Sequence, residues 1–193
     1  MWVSLLLIGV ILFLLYKIKR KKHLEYKCFL LTLKESRKRR ETFLKYHDPT
    51  VPIEIIYGVD TKSIENAYKY KSIIDPKYFR EALELYYNQH KVRTNITYFD
   101  MGAIGCYMGH MEFYRRCFEQ GLKYAVIFED NVVIKSDVLY DQIQSVIDVM
   151  GDDFEMCFFH CLSRYPDRKQ KGLERVKWIS STKCYLINVE NMQ

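Results

Sequence analysis

The chain has 193 residues and a formal net charge of +6, and it is 49% hydrophobic, 28% charged and 15% aromatic. These fractions suit one folded domain and exclude a disordered chain, a collagen-like repeat and a multi-pass membrane protein. The charge surplus alone does not choose among nucleic acid, an acidic membrane surface and an anionic substrate.

Residues 2–16 read WVSLLLIGVILFLLY without a charge, and Lys17, Lys19, Arg20, Lys21 and Lys22 follow at once. As a helix, residues 1–16 would span roughly 24 Å, slightly less than a hydrocarbon core of about 30 Å, and snorkelling of Lys17 and Lys19 covers the gap. Positive charge follows the apolar run instead of preceding it, and no small-residue cleavage site is present, so the run is expected to be an uncleaved transmembrane anchor. Residues 17–25 are then a basic juxtamembrane linker that also attracts anionic lipid, and the remainder of the chain is nearly neutral. With the basic run on the C-terminal side, the positive-inside rule places the domain 26–193 in the cytoplasm of a single-pass membrane protein. Cys28, Cys106, Cys117, Cys157, Cys161 and Cys184 are scattered without zinc-site spacing and read as reduced core residues. The sequon at Asn95 matters only if that orientation is reversed.

The rest of the chain alternates strand and helix signals. Tyr26 to Leu33 (YKCFLLTL) is a nearly continuous apolar run of the kind that forms a buried parallel strand. Ser36 stands as N-cap before a basic helix that must end before Pro49. Ile53 to Tyr57 (IEIIY) is a second strand closed by Gly58. The signal weakens from Thr61 to Asp100, with one helix expected at about Pro76 to His90. A helix at about Ala103 to Gln120 leads into a third strand, Lys123 to Phe128, that ends in Glu129, Asp130 and Asn131. A helix near Asp137 to Met150 and strands at Phe154 to Cys161 and about Val176 to Ile187 complete the chain. This alternation predicts an α/β fold, a mixed and mostly parallel sheet with helices on both faces.

Ligands of such sheets bind at the carboxyl ends of the strands. Oxygen side chains crowded there suit a hard divalent cation holding a diphosphate, although acidic residues after a strand are more often turn or cap residues. Further context comes from residues 102–134, GAIGCYMGHMEFYRRCFEQGLKYAVIFEDNVVI. This block resembles the centre of glycosyltransferase family 25, the lipooligosaccharide and collagen galactosyltransferase family, with Gly102, Gly105, Cys106, His110, Glu129, Asp130 and Val132 at matching positions. FLLTLKESRKRRE resembles the family's first strand and loop, with Leu33 and Arg39 at its recurrent Leu and Arg. YGVD places Asp60 at its Ala-Val-Asp, and STKCYLIN resembles its Tyr-Leu-Ile strand.

The resemblance implies a GT-A-like fold, a UDP-sugar donor, a divalent cation (Mn²⁺ or Mg²⁺), and inverting transfer of galactose or glucose to a glycan or protein hydroxyl. It implies donor binding by Thr32, Leu33, Arg39, Asp60, Gly102, Gly105 and Glu129, metal binding by Asp130 and Asn131, and a site role for His110. Each position has a structural alternative. Arg39 either meets a phosphate or holds the loop, Asp60 either accepts from the nucleoside or caps its turn, and His110 is either a site residue or a hydrogen-bonded helix residue. The glycines are expected to permit close backbone approach near a helix start, where free N–H groups favour anions.

The sequence departs from the family in three places. Asn131 replaces the second Asp of Glu-Asp-Asp, which lowers the expected metal affinity; Gly109 replaces a Ser; and the sequence stops soon after the Tyr-Leu-Ile strand, as expected of a short member. Asp152, Asp153 and His160 are available as a general base, and nothing in the sequence selects among them. The alternative function is a catalytically inactive relative that binds nucleotide-sugar or glycan, or serves as a structural protein. No recognition motif supports nucleic acid as a partner.

Overall fold

The computed structural model describes residues 24–88, 99–134, 138–160, 163–170 and 173–192. The strands in chain order are β1 (Tyr26–Thr32), β2 (Ile53–Tyr57), β3 (Tyr124–Glu129), β4 (Met156–Phe158), β5 (Ser163–Gln170), β6 (Leu173–Ser180) and β7 (Cys184–Asn188). The helices are α1 (Arg37–Tyr46), α2 (Ile64–Tyr68), α3 (Pro76–Tyr87), α4 (Met101–Glu119) and α5 (Leu139–Met150), and a 3-10 turn covers Val189–Met192.

Five strands form one sheet in the order β2-β1-β3-β7-β4, while among the described residues β5 and β6 pair only with each other. β1 is apolar nearly throughout because it lies between β2 and β3, parallel to both. β7 runs antiparallel to β3 and to β4, so four strands share one direction and β7 is reversed. The register pairs Leu31 with Ile56 on one side and with Glu129 on the other, and pairs Phe128 with Cys184. The carboxyl ends of β1, β2 and β3 therefore lie in line, and the amino end of β7 meets them.

Side-chain alternation along the strands builds two cores. Cys28, Leu30, Val126 and Phe128 pack on Phe43 of α1 and on Tyr140, Ile143 and Ile147 of α5. Phe29, Leu31, Ala125, Ile127, Tyr185 and Ile187 face the other way, onto Phe113 and Cys117 of α4. Phe29 and Phe113 are both fully buried and meet edge to face at 5.3 Å. Each such side chain contributes about 1.5–3 kcal/mol of burial, so the α4 face anchors the strand ends firmly. A smaller cluster, with Ala67, Phe79, Ala82, Met101 and Ile104, docks α2 and α3 against the start of α4.

Helices on both faces of this mixed sheet are compatible with the GT-A-like architecture. Two segments differ from expectation. The single strand expected at Val176 to Ile187 is two strands, because Ser181 takes φ 112°, a backbone region costly for a residue other than glycine, and breaks the run. The helix α2 and the β5–β6 hairpin carry too little apolar periodicity to stand out in the sequence.

The expected single-pass membrane placement is corrected. Among the described residues no helix is long and apolar enough to cross a membrane. The longest, α4 with 19 residues, carries Glu112, Arg115, Arg116 and Glu119, and hydrocarbon tolerates such charges poorly. The apolar run 1–16 and the basic residues 17–22, on which the anchor and the cytoplasmic orientation rested, lie outside the described residues, as do Asn95 and the side chain of Cys161. Among the described residues, Cys28, Cys106, Cys117, Cys157 and Cys184 are free thiols.

Candidate active site

β3 ends with consecutive acidic residues, and the pleat sends them apart. Glu129 continues the row of Ala125 and Ile127 toward α4, whereas Asp130 continues the row of Val126 and Phe128 toward the α1 side. Two separate clusters result.

On the α1 side, the Thr32 hydroxyl donates to Asp130 Oδ2 at 2.7 Å, and Arg39 Nε stands 3.5 Å from Asp130 Oδ1. The Asp130 backbone N–H donates to the Leu31 carbonyl at 3.1 Å, tying the two strand ends together. Thr32 and Asp130 are 3% and 8% exposed, but about half of the Arg39 side chain faces solvent. Ser36 does not cap α1 with its side chain; its hydroxyl accepts from Arg39 Nη2 at 2.8 Å instead. Leu33 contributes its carbonyl, which accepts from Ser36 N–H and from Arg40 Nη1, each at 3.1 Å. The guanidinium of Arg40 and the ammonium of Lys34 also lie near the Tyr57 ring, at 5.6 and 5.9 Å from its centroid. The carboxyl ends of β1 and β2 thus present Arg39 beside the buried Asp130 carboxylate and Arg40 and Lys34 beside Tyr57.

On the α4 side, His110 Nε2 stands 3.6 Å from Glu129 Oε1, and the same oxygen accepts from the Thr182 hydroxyl at 2.8 Å. His110 Nδ1 meets the Tyr185 hydroxyl at 2.8 Å, and Tyr114 meets that hydroxyl at 3.0 Å. Burial pushes the Glu129 carboxyl up, but the His110 ring and the Thr182 hydroxyl outweigh it and hold the group below its ordinary value. Burial, aided by the Glu129 charge, pushes the neighbouring Cys106 thiol up to about 11.

The remaining sequence candidates are placed as follows. Asp60 is exposed and accepts from the Lys62 N–H at 3.0 Å, so its side chain serves the turn. Asp100 caps α4 by accepting from the Ala103 N–H at 2.9 Å, which places a carboxylate where an anion would otherwise bind beside Gly102. Gly105 lies against the exit of β2: its N–H donates to Thr61 Oγ1 at 2.9 Å, and a Cβ there would sit 2.4 Å from the Val59 carbonyl oxygen. Gly109 lies against Leu31, whose methyl groups would stand 2.7 and 2.9 Å from an added Cβ. A Ser at this position would therefore require the Leu31 side chain to shift. Asn131 is exposed on the turn after β3.

Among the candidate bases, Asp152 pairs with Lys123 at 2.9 Å beside the start of β3, at the opposite end of the sheet, and Asp153 follows it there. His160 follows β4 at the same end as Glu129 and Asp130, with Nδ1 3.1 Å from Ser181 Oγ. Thr61, Tyr114, Thr182 and Tyr185 complete these clusters, and no local sequence signal marks them.

A hard cation needs several oxygens converging on one point. Here Glu129 and Asp130 diverge, both Asp130 oxygens face protein donors, and Asn131 lies on the exposed turn. The arrangement does not fit a cation shared by these three residues.

The sequence model of glycosyltransferase family 25 (LPS biosynthesis protein) matches residues 25–184. The chain belongs to glycosyltransferase family 25. It is therefore a glycosyltransferase, and membership implies a nucleotide-sugar donor and an acceptor substrate. No individually curated protein matches this family member. The match covers β1 with its basic loop and the α4–β3 block, and ends one residue before Tyr185.

Proposed function

We propose that the domain 26–193 transfers a hexose, galactose or glucose, from a UDP-sugar to a hydroxyl of a glycan or protein, with inversion. The observation that carries this proposal is the Thr32–Asp130–Arg39 cluster at the carboxyl ends of β1 and β3. Breaking the glycosidic bond leaves negative charge on the diphosphate, which must be met electrostatically. In this chain the meeting charges are those of the β1–α1 segment. Asp130 is a positioning residue that holds the Arg39 guanidinium at the strand ends, and the exposed side of Arg39 takes the phosphate as a charge-assisted donor. The start of α1, which carries Arg39 and has no side-chain cap, adds the partial positive charge of a helix N-terminus. Lys34 and Arg40 add further positive charge around Tyr57.

Inversion also needs a base for the acceptor proton. We assign it to His160, the one titratable group of the three sequence candidates that shares the strand end. β4 is two strands from β3, roughly 10 Å across the sheet, which leaves room for a sugar between His160 and the phosphate cluster.

Calorimetric titration of the full chain with UDP and UDP-hexoses, with and without Mn²⁺, tests donor binding, and hydrolysis of the donor tests turnover. Binding of UDP is expected in both conditions, and Arg39→Ala is expected to weaken it about tenfold or more. Absence of binding at millimolar nucleotide would sink the proposal. His160→Ala is expected to keep UDP affinity and lose transfer.

A further inference from the structure

Cys106 and His110 lie four residues apart and hence on one face of α4, and β3 brings Glu129 against that face. Cys106 Sγ, a His110 ring nitrogen and a Glu129 carboxylate oxygen all lie within 4.8 Å of one another. His110 is 7% exposed, and its Nε2 is buried with no hydrogen-bond partner among the described residues. Glu129 Oε1, 3.6 Å away, is too far to serve as one. Two ligand atoms each about 2.0–2.1 Å from a tetrahedral metal are themselves roughly 3.3 Å apart. The observed spacing is thus close to that of co-ligands and wrong for a hydrogen-bonded pair.

We propose that Cys106, His110 and Glu129 bind a borderline transition-metal ion of the zinc class, at a site on the opposite face of β3 from the donor cluster. A sulfur, an imidazole nitrogen and one carboxylate suit Zn²⁺ and do not suit Mg²⁺, which demands oxygen. The surrounding groups are arranged to orient those ligands. With its Nδ1–H donated to the Tyr185 hydroxyl oxygen, His110 presents the lone pair of Nε2, and Tyr114 in turn engages Tyr185. The Thr182 hydroxyl donates to Glu129 Oε1, the oxygen that faces His110, and holds the carboxylate in place. Thiolate and carboxylate together cancel the double charge of the ion, so a half-buried position carries no net charge. As the Sγ–metal bond forms, the thiol proton of Cys106 leaves to solvent. Binding therefore releases a proton and strengthens as pH rises. Three protein ligands leave a fourth position for water. The ion joins α4 to the end of β3 and needs no part in sugar transfer.

Cobalt is the probe. The full chain, stripped with a chelator and titrated with Co²⁺, is expected to bind one ion with a thiolate-to-cobalt charge-transfer absorption that Zn²⁺ abolishes and Mg²⁺ does not. Cys106→Ser removes that absorption, while Cys117→Ser, a buried thiol of the same helix outside the cluster, keeps it. Tyr185→Phe retains all three ligands and lowers cobalt affinity about 10- to 100-fold. Circular dichroism of each variant separates loss of ligand from loss of fold. Two results overturn the proposal: no charge-transfer absorption at millimolar Co²⁺ in the folded wild-type chain, which leaves a metal-free His110–Glu129 pair, or an absorption that survives in Cys106→Ser. UDP binding is measured separately and involves the other face, so donor binding and metal binding fail independently.

Discussion

The two sides of the end of β3 are built from adjacent residues and differ in almost every physical respect. On the α1 side Asp130 holds an arginine that remains partly in solvent, and the helix beside it begins without a side-chain cap. On the α4 side Glu129 lies beside a buried histidine and a thiol, two tyrosines back the histidine, and the helix start is closed by Asp100. The first side suits a charged ligand that comes and goes, and the second suits a permanent internal contact. A Glu-Asp pair after a strand is therefore two sites, because strand alternation separates neighbouring carboxylates more effectively than any loop.

Substitutions on the two sides should separate stability from binding. The largest effect is expected at Gly105, where an added Cβ would meet backbone oxygen at 2.4 Å. Gly105→Ala should cost about 2–3 kcal/mol despite the better helix propensity of alanine. Gly102→Ala, whose Cβ meets only the Asp100 side chain at 3.2 Å, should change the urea midpoint little. A midpoint for Gly105→Ala equal to wild type would show that α4 tolerates displacement from β2.

Next comes Arg39→Ala, which should weaken UDP binding about tenfold or more, as expected for a charge-assisted hydrogen bond of roughly 1.5–3 kcal/mol. Asp130→Asn should act in the same direction with a smaller effect, since the guanidinium loses its orientation and keeps its charge. Equal UDP affinity in Arg39→Ala and wild type would erase the functional distinction between the two faces.

Tyr185→Phe should cost about 1 kcal/mol of stability in the metal-free chain, from the hydrogen bonds to His110 and Tyr114, with the thermal midpoint as readout.

The smallest effect concerns acid. Hydrogen bonds from Arg115, and then from Arg116, hold the Glu112 carboxyl down to about 2 against an ordinary 4.5. A carboxyl depressed in the folded state stabilises fully above its unfolded value, and that contribution fades as pH falls from about 4.5 toward 2. The pairs are largely open to solvent, so under about 1 kcal/mol is at stake. Glu112→Gln should make the stability of the chain less steep in that window. An unchanged slope would mean that these ion pairs contribute nothing.

Much of the fold was legible because it depends on local pattern. The apolar run of β1, the IEIIY of β2, the KYAVIF of β3 and the punctuation by Gly58 and Gly121 mark elements whose observed bounds fall within a few residues of expectation. The β5–β6 hairpin was not legible, since SRYPDRKQ has a proline and five charged or amide residues and no alternating apolar face. Among the described residues its two strands pair only with each other, and its sequence offers no core signal. The site was legible in part. Residues 129–131 pointed to the right strand end, but only the register of β3 against β1 shows that Glu129 and Asp130 part company. Thr182 and Tyr185 reach Glu129 and His110 across 53 and 75 residues of sequence, and no single stretch of chain encodes such partners.

The reversed strand has a consequence for the order in which the molecule can assemble. β7 lies between β3 and β4, yet it follows both in the chain, and among the described residues β4 pairs with β7 alone. During synthesis β1, β2 and β3 can associate early, but β3 keeps an open edge and β4 waits without a partner until Cys184–Asn188 emerges. The same late segment delivers Tyr185 to His110, with Thr182 just ahead of it. The sheet and its α4-side cluster therefore close in one terminal step governed by long-range contacts, a step expected to be slow relative to helix formation.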